Sequence, residues 1–193
     1  MSHQDLVTDE QAAQAVVGHH RQLAAALAGH VTGLVTAADV GVQRQVWTHR
    51  DELVTWLHDE LLPHAHAEEA TLYPVAAELP AGKLLIDGML EEHRTITALV
   101  AELAEGTSPV RVAASARALH AVFSGHLTRE NELVVPLLVA AEGVSLATLL
   151  DGMHEIIGVE PAPAAADGCG CGGCGCGAEA TRPEVVDLPP IGV

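Results

Sequence analysis

Apolar residues recur at every third or fourth position through most of this chain, the spacing that lines one face of an α-helix. Thr8-Asp9 can cap a first helix, along which Ala13, Val16, Val17, His20, Leu23, Ala24 and Leu27 form a stripe. Asp39-Val40-Gly41 predicts a turn, and a second helix then runs to about Glu78 with Leu57, Leu61, His64 and Glu68 on one face. Pro63 should bend it, because proline removes a backbone donor just ahead of His64. After the turn Leu79-Pro80-Ala81-Gly82, a third helix keeps Ile86, Met89, Leu90, His93, Ile96 and Val100 in register, with Thr97 as one further polar side chain on that stripe. Gly106-Thr107-Ser108-Pro109 breaks it and sets proline in the first turn of a fourth helix, where proline is tolerated. Leu119, Val122, Phe123, His126, Glu130, Leu133 and Leu137 share one side of that helix, and a shorter fifth, near Ser145 to Ile157, closes the set. From about Val159 the composition turns to Pro, Ala, Gly and Cys, which reads as a flexible tail.

The pattern repeats. His19-His20-Arg21-Gln22-Leu23 resembles Glu92-His93-Arg94-Thr95-Ile96, and the stretch from Thr55 to Pro74 aligns without gaps on Arg117 to Pro136. The expectation is an all-α fold: an up-down four-helix bundle built from two helical hairpins, with a short fifth helix and a flexible Gly/Cys-rich tail. The bundle should occupy residues 8–158 and the tail 159–193, whose closing stretch around Pro189-Pro190 reads as the truncated start of another domain.

Inside the repeat lies the chemistry. His-x-x-x-Glu occurs as His64/Glu68 and as His126/Glu130, each followed by a proline six residues after the glutamate. Residues four apart on a helix share a face. With His20 and His93 from the first helix of each hairpin, six polar groups join apolar stripes and should face inward. Burying a leucine stabilises by roughly 1.5–3 kcal/mol, whereas a buried, unpaired carboxylate costs several kcal/mol. Cations at the centre turn that liability into binding energy. Six nitrogen and oxygen donors exceed one tetrahedral zinc and suit two octahedral ions, favouring iron or manganese, with zinc allowed by geometry. Two histidines per metal with both glutamates bridging would leave positions open for a small molecule.

These residues give the chain a resemblance to the haemerythrin-like family of HHE cation-binding domains. It covers roughly residues 10 to 140 and rests on His20 in His-His-Arg-Gln-Leu, His64 and Glu68 ahead of Leu72-Tyr73-Pro74, His93 in Glu-Glu-His-Arg, and His126 with Glu130. The resemblance implies a four-helix bundle with a non-haem di-iron centre, held by the four histidines and two glutamates common in bacterial members. Respiratory members add a histidine one turn from the third-helix ligand and use an aspartate five residues after the fourth-helix histidine. Here Met89 and Thr97 flank His93 by a turn, and position 131 is asparagine. Reversible oxygen carriage by the respiratory route is therefore not expected, although Thr97 is placed to hydrogen-bond a bound water or small molecule. A ferritin-type site would need Glu-x-x-His pairs, and no histidine has a glutamate three residues before it.

Other groups read as bystanders. His19 lies about 100° around the helix from His20, His66 has alanine at position 70, and His58 and His120 fall off the ligand face; all four are expected at the surface or behind the ligands. His154 with Asp151 reads as a surface pair. Tyr73 is expected to pack at a helix end, with a hydrogen bond into the metal pocket as the alternative. Cys169, Cys171, Cys174 and Cys176 form a second candidate site, on a glycine backbone that can wrap a soft ion such as Cu(I) or Zn or form disulfides; a plain linker is the competing reading.

Composition narrows the partners. Nearly half the residues are apolar, yet Trp47, Trp56, Tyr73 and Phe123 are the only aromatics, so the core is aliphatic and helical. A formal charge of −17 would repel nucleic acid. No apolar run spans a bilayer and no signal core opens the chain, so a cytoplasmic location without membrane contact is expected. Two functions remain: a di-iron module that binds or senses oxygen, nitric oxide or peroxide, or a di-iron enzyme handling peroxide or nitrosative and oxidative stress. Iron storage or delivery has only the acidic surface in its favour, and the sequence names no redox partner.

Overall fold

In the computed structural model, backbone is described for residues 7–157 and side chains for residues 7–153. The tail, with Cys169, Cys171, Cys174 and Cys176, lies outside the described residues, as does the His154 side chain. Helix α1 (Asp9–Asp39) opens with a capping box: Gln11 N–H donates to Thr8 Oγ1 at 3.2 Å and Thr8 N–H to Gln11 Oε1 at 2.9 Å. Gly41, at φ +74°, reverses the chain into α2 (Gln43–Trp56), which continues through a π-turn (Leu57–Leu61) into α3 (Leu62–Ala70) and α4 (Leu72–Glu78). A tight turn follows, in which a side chain at Gly82 would meet the Ala76 carbonyl at 1.6 Å. Helix α5 (Gly82–Glu105) returns, and α6 (Pro109–Arg129), capped by Ser108, runs through a second π-turn (Glu130–Val134) into α7 (Val135–Val139). Last comes α8 (Leu146–Ile157).

α1 pairs with α2 and α6, and α5 pairs with α6, which is the expected four-helix bundle of two hairpins. α8 lies against α1 and α3. Its start is tied to the start of α1, because Asp9 Oδ1 accepts from Ala147 N–H at 3.0 Å and from Ser145 Oγ at 3.2 Å. Among the described residues, no helix is long and apolar enough to cross a membrane.

The apolar interior is divided. One cluster gathers Leu27, Leu34, Leu53, Leu57, Leu103 and Leu119 at the end of the bundle bearing the α1–α2 and α5–α6 turns. The other gathers Val16, Leu72, Met89, Val134, Leu138 and Leu150 at the end closed by α8. Between them along each strand of the bundle falls a polar layer made of His20, His64, Glu68, His93, His126 and Glu130.

The end of the fourth-helix stripe needs correction. Leu133 and Leu137 do not continue the α6 stripe: Leu133 is 50% exposed, while Val134 and Leu138 are fully buried in their place. The π-turn inserts one residue after Glu130, with Val135 N–H donating to the Glu130 carbonyl five residues back, so the inward face slips by one position. Pro136 supplies the reason, since its ring would clash with the carbonyl four residues earlier in an unbroken α-helix. Likewise Pro63 is absorbed by the π-turn before it, where Leu62 N–H donates to the Leu57 carbonyl. Pro74 is handled differently, by an interruption at Thr71 (φ −122°, ψ −63°). The aligned Pro74 and Pro136 therefore follow distortions at matching positions but of different kind, and the π-turn before Pro63 has no counterpart in the second copy.

Candidate metal centre

The six expected side chains arrive from four helical arms. His20 comes from α1, His64 and Glu68 from one turn of α3, His93 from α5, His126 from the end of α6 and Glu130 from the start of the second π-turn. None is more than 4% exposed. Their Nε2 atoms and carboxylate oxygens face one another. Glu68 Oε1 lies 2.7 Å from His64 Nε2 and 3.4 Å from His20 Nε2, and its Oε2 lies 3.6 Å from His93 Nε2. Glu130 Oε2 lies 3.5 Å from His126 Nε2 and 3.8 Å from His20 Nε2. Two triads result, His20/His64/Glu68 and Glu68/His93/His126, each with ligand atoms within 4.8 Å of one another and with Glu68 in common.

The donors fit a divalent cation on grounds internal to the protein. Buried polar atoms normally find hydrogen-bond partners. Here His20 Nε2, both nitrogens of His64, Glu68 Oε1 and both oxygens of Glu130 make none of proper geometry, even where His64 Nε2 and Glu68 Oε1 lie close, although all are sealed from water. His93 Nδ1 donates to Glu69 Oε1 at 2.7 Å and His126 Nδ1 to Glu92 Oε2 at 3.2 Å. With those protons committed, the two Nε2 lone pairs face each other across 3.2 Å, a repulsion that a cation or a proton relieves. Without metal, protons take that role. Burial pulls His20 and His126 down, but Glu68 and Glu130 outweigh it and raise both above the usual histidine value. Burial likewise pushes Glu68 up, and His64 and His20 overcome it to hold that carboxylate well below the usual range.

Comparison with known families matches residues 11–138, and a second, overlapping stretch at 84–159, to the family described as "Hemerythrin HHE cation binding domain". The chain belongs to this haemerythrin family. Comparisons with curated proteins and with solved structures give no match. The overlap of the two matched stretches is in keeping with the internal repeat, since the second begins within the first turn of α5. In this haemerythrin domain the two buried His/Glu clusters can coordinate divalent metal.

Around the clusters, the structure supplies groups that the sequence pattern passed over. Glu69 and Glu92 sit next to Glu68 and His93 in sequence, about 100° around their helices, and each reaches a histidine on another helix. Glu92 also pairs with Arg129. Asn131 Oδ1 accepts from His20 Nδ1 at 2.7 Å. For Glu69 and Glu92 the only signal was adjacency to a ligand, which says nothing about which neighbouring helix is met, whereas Asn131 occupies a position the resemblance had marked. Tyr73 does border the haemerythrin site rather than only packing at a helix end: it is buried, its ring stacks on His93, and its O–H donates toward His93 Nε2 at 3.4 Å. Burial and the charges of Glu68 and Glu130 raise its pKa far above the normal phenol value, so it stays protonated.

Thr97 takes no part: it is exposed, and its hydroxyl donates to the His93 carbonyl at 2.9 Å. Its place one turn from His93 is real, but a backbone acceptor is closer than the centre. Met89 is buried in the α8-side cluster. His58 and His66 are exposed and His120 half-buried, as expected. His19 is exposed, with its ring 4.9 Å from that of His64. A pocket of about 150 Å³ opens beside it onto His20, His64 and Glu68, walled by Val16, Leu72, Leu150 and Met153, with Glu60 also on its lining.

Proposed function

We propose that this haemerythrin domain holds two iron ions and uses them to bind or sense a small oxidant or diatomic molecule: oxygen, nitric oxide or peroxide. His20 and His64 would hold one ion and His93 and His126 the other, with Glu68 and Glu130 spanning both; manganese or zinc are the alternatives the donor set admits. The observation that carries this reading is the set of buried nitrogens and carboxylate oxygens without hydrogen-bond partners, gathered around a shared Glu68. Such a pair of ions supplies reversible electron transfer and open coordination when bound.

The protein's own residues do the rest. The Nδ1 hydrogen bonds of His20, His93 and His126 fix each ring with Nε2 inward. Leu72, Leu150 and Met153 make much of the approach to the centre apolar, which suits small uncharged molecules, while His19 and Glu60 keep a polar edge on it. Tyr73 presents a permanent O–H donor at the wall of the site.

That same phenol favours the second reading, an enzyme for peroxide or nitrosative stress, because a fixed O–H beside the metals can hydrogen-bond to negative charge that develops on a reacting molecule while keeping its own proton. Stopped-flow spectroscopy of the reduced protein with oxygen, nitric oxide and peroxide separates the two. A long-lived adduct supports binding or sensing, and repeated consumption supports catalysis. Absence of any spectral response to all three would defeat both.

A further inference from the structure

The histidines of the two triads are backed differently. At His93 and His126 the Nδ1–H groups donate to carboxylates, Glu69 at 2.7 Å and Glu92 at 3.2 Å, and Glu92 is itself oriented by Arg129. At His20 the acceptor is a neutral amide, Asn131. At His64 the Nδ1 is buried and has no hydrogen-bond partner. A carboxylate behind a ligating imidazole fixes its tautomer and increases the electron density at the opposite nitrogen; an amide does only the first, and no partner does neither. The surroundings differ as well. The pocket opens onto His20, His64 and Glu68, whereas Tyr73 and Phe123 stack on the rings of His93 and His126.

We infer that the two cation positions are unequal: the one at His93 and His126 fills first and holds its ion, and the one at His20 and His64 fills second and exchanges through the pocket beneath Leu150 and Met153. Glu69, Glu92 and Asn131 are the positioning residues that set this difference. The inference rests on the two-ion reading above. It adds an order of loading and assigns the exchangeable position to the open side of the site. Loss of a carboxylate behind a metal-bound histidine commonly weakens binding about 10–100-fold, so the two steps should differ by about tenfold or more.

The test is titration of the metal-free full-length chain with Mn(II), counting free ion by electron paramagnetic resonance. Mn(II) is chosen because thiolates hold it weakly, which keeps Cys169, Cys171, Cys174 and Cys176 from competing. The expected result is two ions per chain in two resolved steps. Glu69→Gln and Glu92→Gln should each weaken the first step about 10–100-fold and leave the second largely unchanged. Asn131→Ala should weaken the second step alone. A chelator should remove one ion faster than the other. Two steps of equal affinity, or glutamine variants that lower both steps alike as general disturbance of the fold would, overturn the inference while leaving the two-ion reading intact. Uptake of fewer than two ions overturns both.

Discussion

Helices α1 and α5 each bring one histidine to the polar layer and run without interruption, whereas the two arms that bring a histidine and a glutamate are both distorted close by. The contrast has a physical cause. A His/Glu pair four residues apart needs a regular α-turn, and both pairs have one: Thr71 falls after Glu68, the π-turn at Glu130–Val134 opens only at its glutamate, and the π-turn at Leu57–Leu61 falls before His64. Register is corrected outside the paired turn, next to prolines that a regular helix would not accommodate. A helix with a single inward ligand meets no such constraint, so α1 carries its stripe from Ala12 through Ala37 unbroken.

The sharpest way to break this comparison is to remove the glutamates that the distorted arms exist to place. Replacing both Glu68 and Glu130 by alanine should abolish binding of both ions by metal analysis; stoichiometric metal in the double variant would refute their bridging role. On an unbroken helix, Leu27→Ala should cost about 2–5 kcal/mol in chemical denaturation yet keep both ions, because Leu27 is fully buried in the cluster away from α8.

Protonation gives a smaller effect with a defined sign. In the metal-free protein His20 and His126 are raised above 6.5, so their contribution to stability is present below that value and fades as pH climbs through their folded values. Glu68 is depressed below 4.5, so its contribution is present above that value and is lost on acidification through its folded value. Melting temperature of the metal-free chain should thus peak between these limits, while metal affinity should fall as pH drops through about 6.5, because protonated imidazole cannot ligate. A metal-free chain that grows steadily more stable from pH 6 to 9 would contradict the histidine assignment. The smallest effect concerns register: Leu133→Ser should stay within about 0.5 kcal/mol, and Val134→Ser should cost clearly more, since only the latter points inward.

The bundle was legible because its stripes keep helical spacing over most of 150 residues, and the hairpin pairing because the stretch is repeated. The inward gathering of six polar side chains was legible for the same reason: each occupies a stripe position otherwise filled by Leu, Ile or Val. The slip after Glu130 was not. Prolines announce that a helix must yield, but not whether it yields by an added residue, as before Pro63 and Pro136, or by an interruption, as at Thr71 before Pro74. Nor were Glu69 and Glu92 assigned, and for Tyr73 the pocket role stood only as the alternative, since each acts on a neighbouring helix and its partner follows from three-dimensional packing.

The wide turn at Glu130–Val134 also bears on how this gene can change in length. Most helix interiors resist loss of a codon, because everything downstream rotates by about 100°. Here the segment already carries one residue more than a regular turn requires. Deleting Glu132 would restore ordinary α-helical counting and keep Val134 and Leu138 inward under their new numbers, but would leave the Pro136 ring facing a carbonyl with nowhere to go. Shortening should therefore succeed only when that proline is replaced at the same time.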